Sequence, residues 1–390
     1  MRLLDLCDIK YGYAFDSKRF TDNPIYPPLV RIRDVKRGFS ETFYAGEYSK
    51  EYLLHKGDLL IGMDGEFNIA RWKSVDALLN QRVCKISAKK GTNEEYIRFA
   101  LSKKLKNIED KTSFVTVKHL SARELSTIEF TMPEYEKQRK IADILVSIEN
   151  IIEKKKQELE QLDTFVKSRF VELFGDPYVN PLKWKRLKIK DAVTIEPQNG
   201  LYKPQSDYVA DGTGTPILRI DGFYNGRVTD FGSLKRLKCS GMEQQRYLLL
   251  EDDIVINRVN SIEYLGKCAH IKGLLEDTVY ESNMMRMHFD PEHYNPVYIC
   301  KLLCSQYIYD QIVNHAKKAV NQASINQKDV LDFNIYQPPL ELQNQFADFV
   351  VSVDKSKMLK IVIFQLIICN QLTHPIMQKQ SVLRYRKEIC

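Results

Sequence analysis

The chain carries the same ordered set of motifs twice, and this internal repeat restricts its fold more than any other feature of the sequence. The paired segments are 28–32 and 216–220, 52–61 and 247–256, and 133–147 and 338–352. The offset between the copies grows from 188 to 195 to 205 residues, so the copies differ by insertions. Insertions concentrate in surface loops, where binding specificity is usually set. The pattern predicts one scaffold used twice with different loops.

Each copy predicts a mixed domain of strands followed by helices. Short runs rich in Val, Ile, Tyr and Phe, broken by Gly, Asn and Asp, predict strands at 29–35, 58–63, 81–86, 217–220 and 253–257. Helices are predicted at 93–103 and 295–316, and a brief apolar strand precedes Pro133 and Pro338. We therefore expect two mixed domains, at 1–135 and 184–340, each followed by an exit helix.

The first exit helix carries a coiled-coil pattern. Steps of four and three from Ile141 give ten seam positions, of which eight are apolar. The seam residues that we assign to a helix or partner-subunit interface are Ile141, Leu145, Ile148, Ile152, Leu159, Leu162 and Val166. A spacer helix over 136–175 would be roughly 55 to 60 Å long. A linker at 176–183 follows it.

The second exit helix, in segment 341–390, begins in the same way and then loses the pattern. Phe346, Val350 and Val353 continue the seam, but only five of its ten positions are apolar, and Pro375 would break a helix at that depth. The expected fold class is α+β, with two tandem mixed α/β domains in a pseudo-twofold repeat separated by long coiled-coil helices. The tail is predicted to be truncated or frameshifted.

Charge and cysteine content narrow the range of possible partners and compartments. The chain has 58 basic and 51 acidic residues among 390, a net charge of +7, which permits a polyanionic partner without demanding one. Eight scattered cysteines without paired CxxC spacing predict reduced thiols, and no leader or membrane-length apolar run is found, so we expect a cytoplasmic protein.

Motifs for catalysis are missing from the sequence. There is no phosphate loop, GxGxxG, GxSxG, HExxH or adenine-gripping [DNS]PP[YFW] motif. Cys300 and Cys304 lie one helical turn apart without a histidine at ligand spacing, which favours core thiols over a metal site. We predict no catalytic and no metal-binding residue.

Basic residues gather in the loops that differ between the copies, with Tyr202, Tyr208 and Tyr224 among them. Arg and Lys neutralise phosphates, and Arg, Asn and Gln read purine edges. A two-lobed protein with basic loops and a rigid spacer suits a bipartite DNA target. The candidate DNA-binding residues are Lys18, Arg19, Arg31, Arg33, Lys36, Arg37, Arg71, Lys73 and Lys118 in the first copy, and Lys203, Arg219, Arg227, Arg258, Lys317, Lys318 and Lys328 in the second.

The whole arrangement resembles the specificity (S) subunit of type I restriction-modification systems. The resemblance rests on the doubled Pro-x-x-Glu-x-Gln-x-x-φ-Ala-Asp-φ-φ-x-Ser block, where φ is apolar, on the doubled Tyr-Leu-Leu-x-x-x-Asp block, and on Leu-Phe-Gly-Asp-Pro at 173–177. It implies two domains that each read half of an interrupted double-stranded DNA sequence, held apart by an antiparallel pair of long helices.

The resemblance also implies the partners. Two modification subunits would methylate adenine with S-adenosylmethionine, and restriction subunits would use ATP and Mg²⁺ to move and cut DNA. This chain would bind no cofactor, would be non-catalytic and would have no membrane partner. The assembled complex would be a site-specific deoxyribonuclease and adenine methyltransferase.

Two other classes of function stay open at this point. A self-contained methyltransferase or nuclease would bind cofactor or modify DNA without any other subunit. A coiled-coil scaffold with no nucleic-acid role would fail to bind DNA even with a methylating partner present.

The atypical tail gives the first testable prediction. Because the segment after Lys357 lacks the heptads needed to pair with the first spacer helix, the natural chain should capture less modification subunit than a variant with a restored heptad tail. A pull-down with both versions measures this, and equal capture would contradict it.

Overall fold

The computed structural model describes residues 1–111 and 118–372, with side chains for 1–110 and 118–361. The chain divides into two compact units. The first contains Met1–Lys156 together with the described residues from Val362 onward, and the second contains Gln157–Ile361. Each unit contains one copy of the repeat.

The first unit is a mixed domain. Its described strands are β1 (Cys7–Tyr11), β2 (Phe20–Thr21), β3 (Leu29–Val30), β4 (Phe43–Tyr44), β5 (Leu53–Leu54), β6 (Leu59–Gly62), β7 (Ile69–Arg71), β8 (Ala77–Leu79) and β9 (Val83–Ala88). Its described helices are α1 (Leu3–Leu6), α2 (Ile32–Arg37), α3 (Glu94–Lys111) and α4 (Ala122–Thr127). Helix α5 (Tyr135–Phe174) begins in this unit and ends in the second.

The second unit has more strands. They are β10 (Lys185–Lys188), β11 (Val193–Asn199), β12 (Tyr208–Val209), β13 (Thr215–Leu218), β14 (Phe223–Tyr224), β15 (Gly226–Val228), β16 (Lys235–Leu237), β17 (Ile254–Asn257), β18 (Val259–Asn260), β19 (Cys268–His270), β20 (Val279–Tyr280), β21 (Met284–Phe289), β22 (Lys317–Lys318), β23 (Ala323–Ser324) and β24 (Asn334–Gln337). Its helices are α6 (Gly241–Arg246), α7 (Pro296–Leu303), α8 (Gln306–His315), α9 (Gln327–Leu331) and α10 (Leu340–Leu372), the last extending past Ile361.

The main sheets of the two units have the same order. In the first unit it is β1-β9-β6-β7, and in the second it is β11-β21-β17-β19 with β15 and β14 added at the edge. Both units also contain a small sheet with one parallel pair, Leu29 against Leu78 and Ile217 against Val279. The repeat seen in the sequence is therefore a repeat of sheet topology, and an insertion in the second copy widens its sheet.

A glycine at the same place in each copy lets two strands approach closely. A Cβ on Gly12 would lie 2.0 Å from the carbonyl oxygen of Asn80, and one on Gly200 would lie 2.3 Å from that of Glu281. A larger residue at either position would push the backbones apart. The chain beside each glycine pairs with that same neighbour, Tyr13 with Asn80 and Leu201 with Glu281.

The aspartate of the doubled Tyr-Leu-Leu-x-x-x-Asp block closes a turn and neutralises a cation. Asp58 accepts a 2.8 Å hydrogen bond from the His55 amide and lies 2.8 Å from the Lys85 ammonium. Asp253, fully buried, accepts a 2.8 Å bond from the Leu250 amide and lies 3.0 Å from Arg286. A buried carboxylate is stable only when it is paired in this way.

The glutamine of the Pro-x-x-Glu-x-Gln block attaches each exit helix to its own domain. Gln343 accepts a 2.9 Å hydrogen bond from the Asn295 amide and donates to the carbonyl oxygens of His293 and Pro338, at 2.9 and 2.8 Å. In the first unit, Gln138 accepts from the Asn93 amide at 2.9 Å. It also donates to Pro133 at 2.8 Å. Both glutamines are buried, so these contacts fix the point at which each helix leaves its domain.

Helices α5 and α10 run antiparallel within the second unit. Phe346 packs edge-on against Phe170 and Phe174, with ring centroids 5.4 and 5.5 Å apart. Further along α10, Phe349 lies 5.0 Å from Phe165, so the order along the two helices is reversed. The predicted seam residues Val166, Phe346, Val350 and Val353 belong to one buried core, and Leu162 packs against it.

Where the apolar seam between α5 and α10 ends, ion pairs connect the two helices. Lys357 forms an ion pair with Asp163, and Lys360 lies 3.3 Å from Glu158. Helix α10 extends to Leu372. The predicted break at Pro375 and the rest of the altered tail lie outside the described residues.

Several local predictions were wrong in detail. The strand predicted at 29–35 ends at Val30, because the Asp34 carboxylate accepts a 3.0 Å bond from the Arg31 amide and starts α2. The helix predicted at 295–316 is divided into α7 and α8, since Ser305 caps a new helix. The strand predicted before Pro133 is only a single bridge, between Arg2 and Glu129.

The start of the seam also departs from its predicted role. Ile141 is buried in a cluster with Tyr96 of α3, and Leu145 packs against the same cluster. Ile148 is buried as well, while Ile152 and Leu159 are half-buried. The first turns of α5 thus cover their own domain, because the helix leaves it directly over α3. Over the described residues, no helix is long and apolar enough to cross a membrane.

The glutamine contact gives a stability prediction. Gln343→Ala should lower the free energy of unfolding by about 2–3 kcal/mol, because it leaves the partly buried Asn295 amide and two carbonyl oxygens without their hydrogen-bond partner. Chemical denaturation measures the loss. Gln345→Ala, an exposed position on the same helix, is the matched control and should cost less than about 0.5 kcal/mol. Equal losses in the two variants would contradict the proposed role of Gln343.

Candidate nucleic-acid interface

The candidate cations of the first unit fall into three groups by their partners. Arg71 is held inside the domain, with Nη1 2.9 Å from Glu94 and 2.6 Å from the carbonyl oxygen of Gly57, and Nε bonded to Glu95. Because two carboxylates and a carbonyl group occupy its guanidinium group, Arg71 fixes β7 to α3. Lys36 pairs with Glu66 at 3.2 Å, and both side chains are largely exposed.

Other cations of this unit make weaker internal contacts. Arg37 lies 2.8 Å from Glu41, and its hydrogen bond holds the pKa of that carboxyl group below its usual value. Arg33 bonds the Thr42 hydroxyl group at 3.2 Å, and Lys118 lies 3.9 Å from Glu109. Exposed ion pairs contribute only about 0–1 kcal/mol, so a phosphate can replace such a carboxylate at little cost.

A further set has no carboxylate partner among the residues that the structure describes. Lys18 and Arg19 are exposed next to β2, and Arg31 is half-buried before α2. The side chain of Lys73 packs against Gly38. In the second unit this set comprises Lys317, Lys318 and Lys328, all exposed.

The remaining candidate cations of the second unit contact other residues of the same unit. Lys203 lies 2.9 Å from Glu243, and this bond lowers the pKa of Glu243 to about 2, so the pair stays ionised at neutral pH. Arg227 pairs with Asp354 of α10.

Two arginines of this unit make partly buried contacts. Arg219 lies 3.5 Å from Glu281, with its guanidinium group 5.7 Å from the Tyr208 ring. Arg258 donates a 3.1 Å bond to the carbonyl oxygen of Ser282, and its Nε is buried without a partner among the described atoms.

Lys317 and Lys318 lie on a β-hairpin that projects from the second unit. Strand β22 pairs with β23, which pairs with β18, and the turn closes through a 2.7 Å bond from the Ala319 amide to the Gln322 carbonyl oxygen. Neighbouring residues of a strand point to opposite faces, so the two lysines place a cation on each face of the hairpin. At the tip, Val320 is 99% exposed.

The first unit has a bridge at the equivalent place. Asp64 pairs with His119 as Val259 pairs with Ser324, and residues 112–117 lie outside the described part of the chain. Arg82 lies 3.4 Å from Asp64 and 3.3 Å from the His119 ring. The sequence analysis missed Arg82, because only the fold brings it next to His119.

The aromatic residues near these loops differ in their surroundings. Tyr202 is largely exposed, whereas Tyr224 and Phe223 cover the Lys267 ammonium group at 4.0 and 4.7 Å. Burial lowers the pKa of Lys267 below its usual value. Tyr224 therefore has a structural contact, while Tyr202 stays open to a ligand.

The comparison with known families accounts for both copies of the repeat. The family model described as the type I restriction modification DNA specificity domain matches residues 1–162 and 181–362. The chain belongs to this family. It is a specificity subunit of a type I restriction-modification system, and its function is DNA recognition.

Individual relatives agree with this assignment. The specificity subunit is 28% identical over 371 residues to the type I restriction enzyme EcoBI specificity subunit of Escherichia coli, covering 88% of this chain and 76% of that protein. It is 22% identical over 344 residues to the MjaVIII specificity subunit of Methanocaldococcus jannaschii, covering 84% and 79%.

A solved structure has the same fold. The S subunit of the type I restriction-modification system from M. genitalium matches with a TM-score of 0.56 and 14% identity, covering 97% of this chain and 94% of that one. At this low identity the match establishes the fold and leaves individual side-chain roles open.

The different partners of the cations predict different salt effects. In the specificity subunit, Lys318→Ala should reduce the slope of log K against log salt concentration by about 1 for a random-sequence duplex, because one phosphate contact is lost. Lys203→Ala should change the slope clearly less, since Glu243 already neutralises Lys203. Fluorescence anisotropy titrations over a salt series measure both slopes. Equal changes in the two variants would contradict this assignment of the cations.

Proposed function

We propose that each recognition domain of this specificity subunit contacts one half of a bipartite DNA target, and that the β22–β23 hairpin is a reading element of the second domain. The observation that carries the proposal is the hairpin itself, which has an exposed tip and, on both faces, cations with no carboxylate partner among the described residues. The major groove admits a two-stranded ribbon of this kind.

The chemistry of the hairpin supports a division of roles along it. Lys317 and Lys318 lie at its base, where a ribbon inserted in the groove passes the phosphate backbones. Asn321 and Gln322 lie at the tip, and both amides suit bidentate bonds to adenine edges. The lysines would thus position the domain, and the tip would provide sequence discrimination.

The first domain offers two exposed clusters for its own half of the target. One consists of Lys18 and Arg19, and the other of Lys36 and Arg37. Lys36 faces the exposed Glu66, and Arg37 faces the exposed Glu41 as well as the buried Asp34, so Glu66 and Glu41 are the carboxylates that a phosphate can replace easily. Arg71 and Lys203 are proposed to act through the structure of their domains rather than through DNA.

Catalysis is proposed to lie with other subunits. In this scheme two modification subunits use S-adenosylmethionine to methylate adenine, and restriction subunits use ATP and Mg²⁺ to translocate and cut DNA. This chain would then contribute recognition and spacing without a cofactor of its own, in the cytoplasm where the genome is accessible. The cations and the antiparallel helix pair support that role.

The test compares two charge-removal variants that serve as controls for each other. Lys317→Ala with Lys318→Ala should relax or abolish recognition of one half of the methylated motif, and Lys36→Ala with Arg37→Ala should affect the other half. Methylome sequencing of cells carrying each variant gives the two motifs. An unchanged bipartite motif in both variants, or the same altered half in both, would overturn the assignment.

A further inference from the structure

We propose that Cys268, Cys300 and Cys304 form a binding site for a thiophilic d¹⁰ cation of the Zn²⁺ type within the second recognition domain. The three Sγ atoms all lie within 4.8 Å of one another, and those of Cys268 and Cys304 are 3.4 Å apart. The proposal concerns a site separate from the DNA-contacting residues and does not depend on their assignment.

The fold assembles the three thiols from two elements that are distant in sequence. Cys300 and Cys304 lie one turn apart on α7 and at its end, as the sequence already indicated. Cys268 begins β19, in the centre of the main sheet, and comes from 32 residues earlier in the chain. In the sequence, only Cys300 and Cys304 lie at ligand spacing, without a histidine nearby, which favoured core thiols; Cys268 joins them only in the tertiary structure.

The spacing fits a metal–thiolate centre after small side-chain rotations. A tetrahedral zinc ion with bonds of about 2.3 Å places its sulfur ligands about 3.8 Å apart. The Sγ atoms of Cys268 and Cys304 are 3.4 Å apart and the other two pairs are within 4.8 Å, so small rotations of the side chains bring the three sulfur atoms to that spacing. Each thiol that ligates the ion releases its proton to solvent, because the ligand is the thiolate.

The surroundings suit a soft cation. A Cβ on Gly226 would lie 3.2 Å from Sγ of Cys300 and 3.8 Å from Sγ of Cys304, so a glycine at this position leaves the thiols room. The Cys300 thiol donates to the Gly226 carbonyl oxygen at 3.4 Å, which orients its Sγ atom before the ion binds; the bond is lost when the thiol releases its proton to become a ligand. Lys301, bonded to the Asn225 carbonyl oxygen at 3.4 Å, places a positive charge near the thiolates.

An entry route and a fourth ligand position are present. A cavity of about 430 Å³ is lined by Gly226, His270, Cys300 and Lys301 among others. A water molecule from this cavity can complete the coordination of an ion held by three sulfur atoms. Because α7 also begins at the Gln343 contact, the ion would connect the sheet to the helix that anchors α10.

The experiment titrates the reduced, metal-free chain with Cd²⁺ and follows thiolate-to-metal charge-transfer absorption, with Zn²⁺ as the competitor. We expect about one Cd²⁺ per chain, displaced by Zn²⁺, and a higher thermal unfolding temperature with Zn²⁺ bound. Cys304→Ala should abolish the absorption. Cys239→Ala is the matched control, a half-buried thiol outside the cluster, and should retain it.

Folding of the variants is checked separately. Cys268→Ser provides a second loss of a ligand, and far-UV circular dichroism with DNA binding confirms that each variant is native. The proposal is overturned if the reduced chain gives no charge-transfer band, if a native Cys304→Ala chain keeps it, or if Cys239→Ala loses it. A Cys268–Cys304 disulfide in the isolated chain, without metal uptake after reduction, would assign the cluster to redox chemistry instead.

Discussion

The buried glutamine at the start of each exit helix is the contact on which the rest of the architecture depends. A helix anchored only by apolar packing can rotate or slide, whereas Gln138 and Gln343 each bond a backbone amide at the start of a second helix and carbonyl oxygens of the preceding chain. Burial makes these bonds costly to break. The direction in which each long helix leaves its domain is therefore fixed by directional polar contacts, and apolar packing adds stability along that direction.

Both copies share one scaffold of strands and turns, but the surface built on it differs between them. The same four strands form the main sheet in each unit, and the second unit extends it by β15 and β14. Close approach at Gly12 and Gly200, and the turns closed by Asp58 and Asp253, belong to the shared part. Since the shared residues are occupied with folding, we propose that sequence discrimination falls to the surface loops, which include the β22–β23 hairpin.

The candidate cations have two different roles in the structure, and both are compatible with the modest net charge of +7. Arg71, Lys203 and Arg227 each face a carboxylate and contribute to the structure of their units. Other candidate cations, including Lys317 and Lys318, are exposed without such a partner among the described residues. Cations exposed in this way suit local contacts with a groove, whereas a uniformly basic surface would bind DNA without regard to sequence.

The sequence by itself determined the repeat, the α+β class, the long first exit helix and the family, because repeated motifs and heptad spacing are properties of order along the chain. It could not determine which cations are open, since Glu94, Glu95 and Glu243 reach Arg71 and Lys203 only after folding. Nor could it join Cys268 to Cys300 and Cys304, or show that Ile141 covers α3. Those outcomes depend on contacts between residues far apart in the chain, and only the tertiary structure fixes such distances.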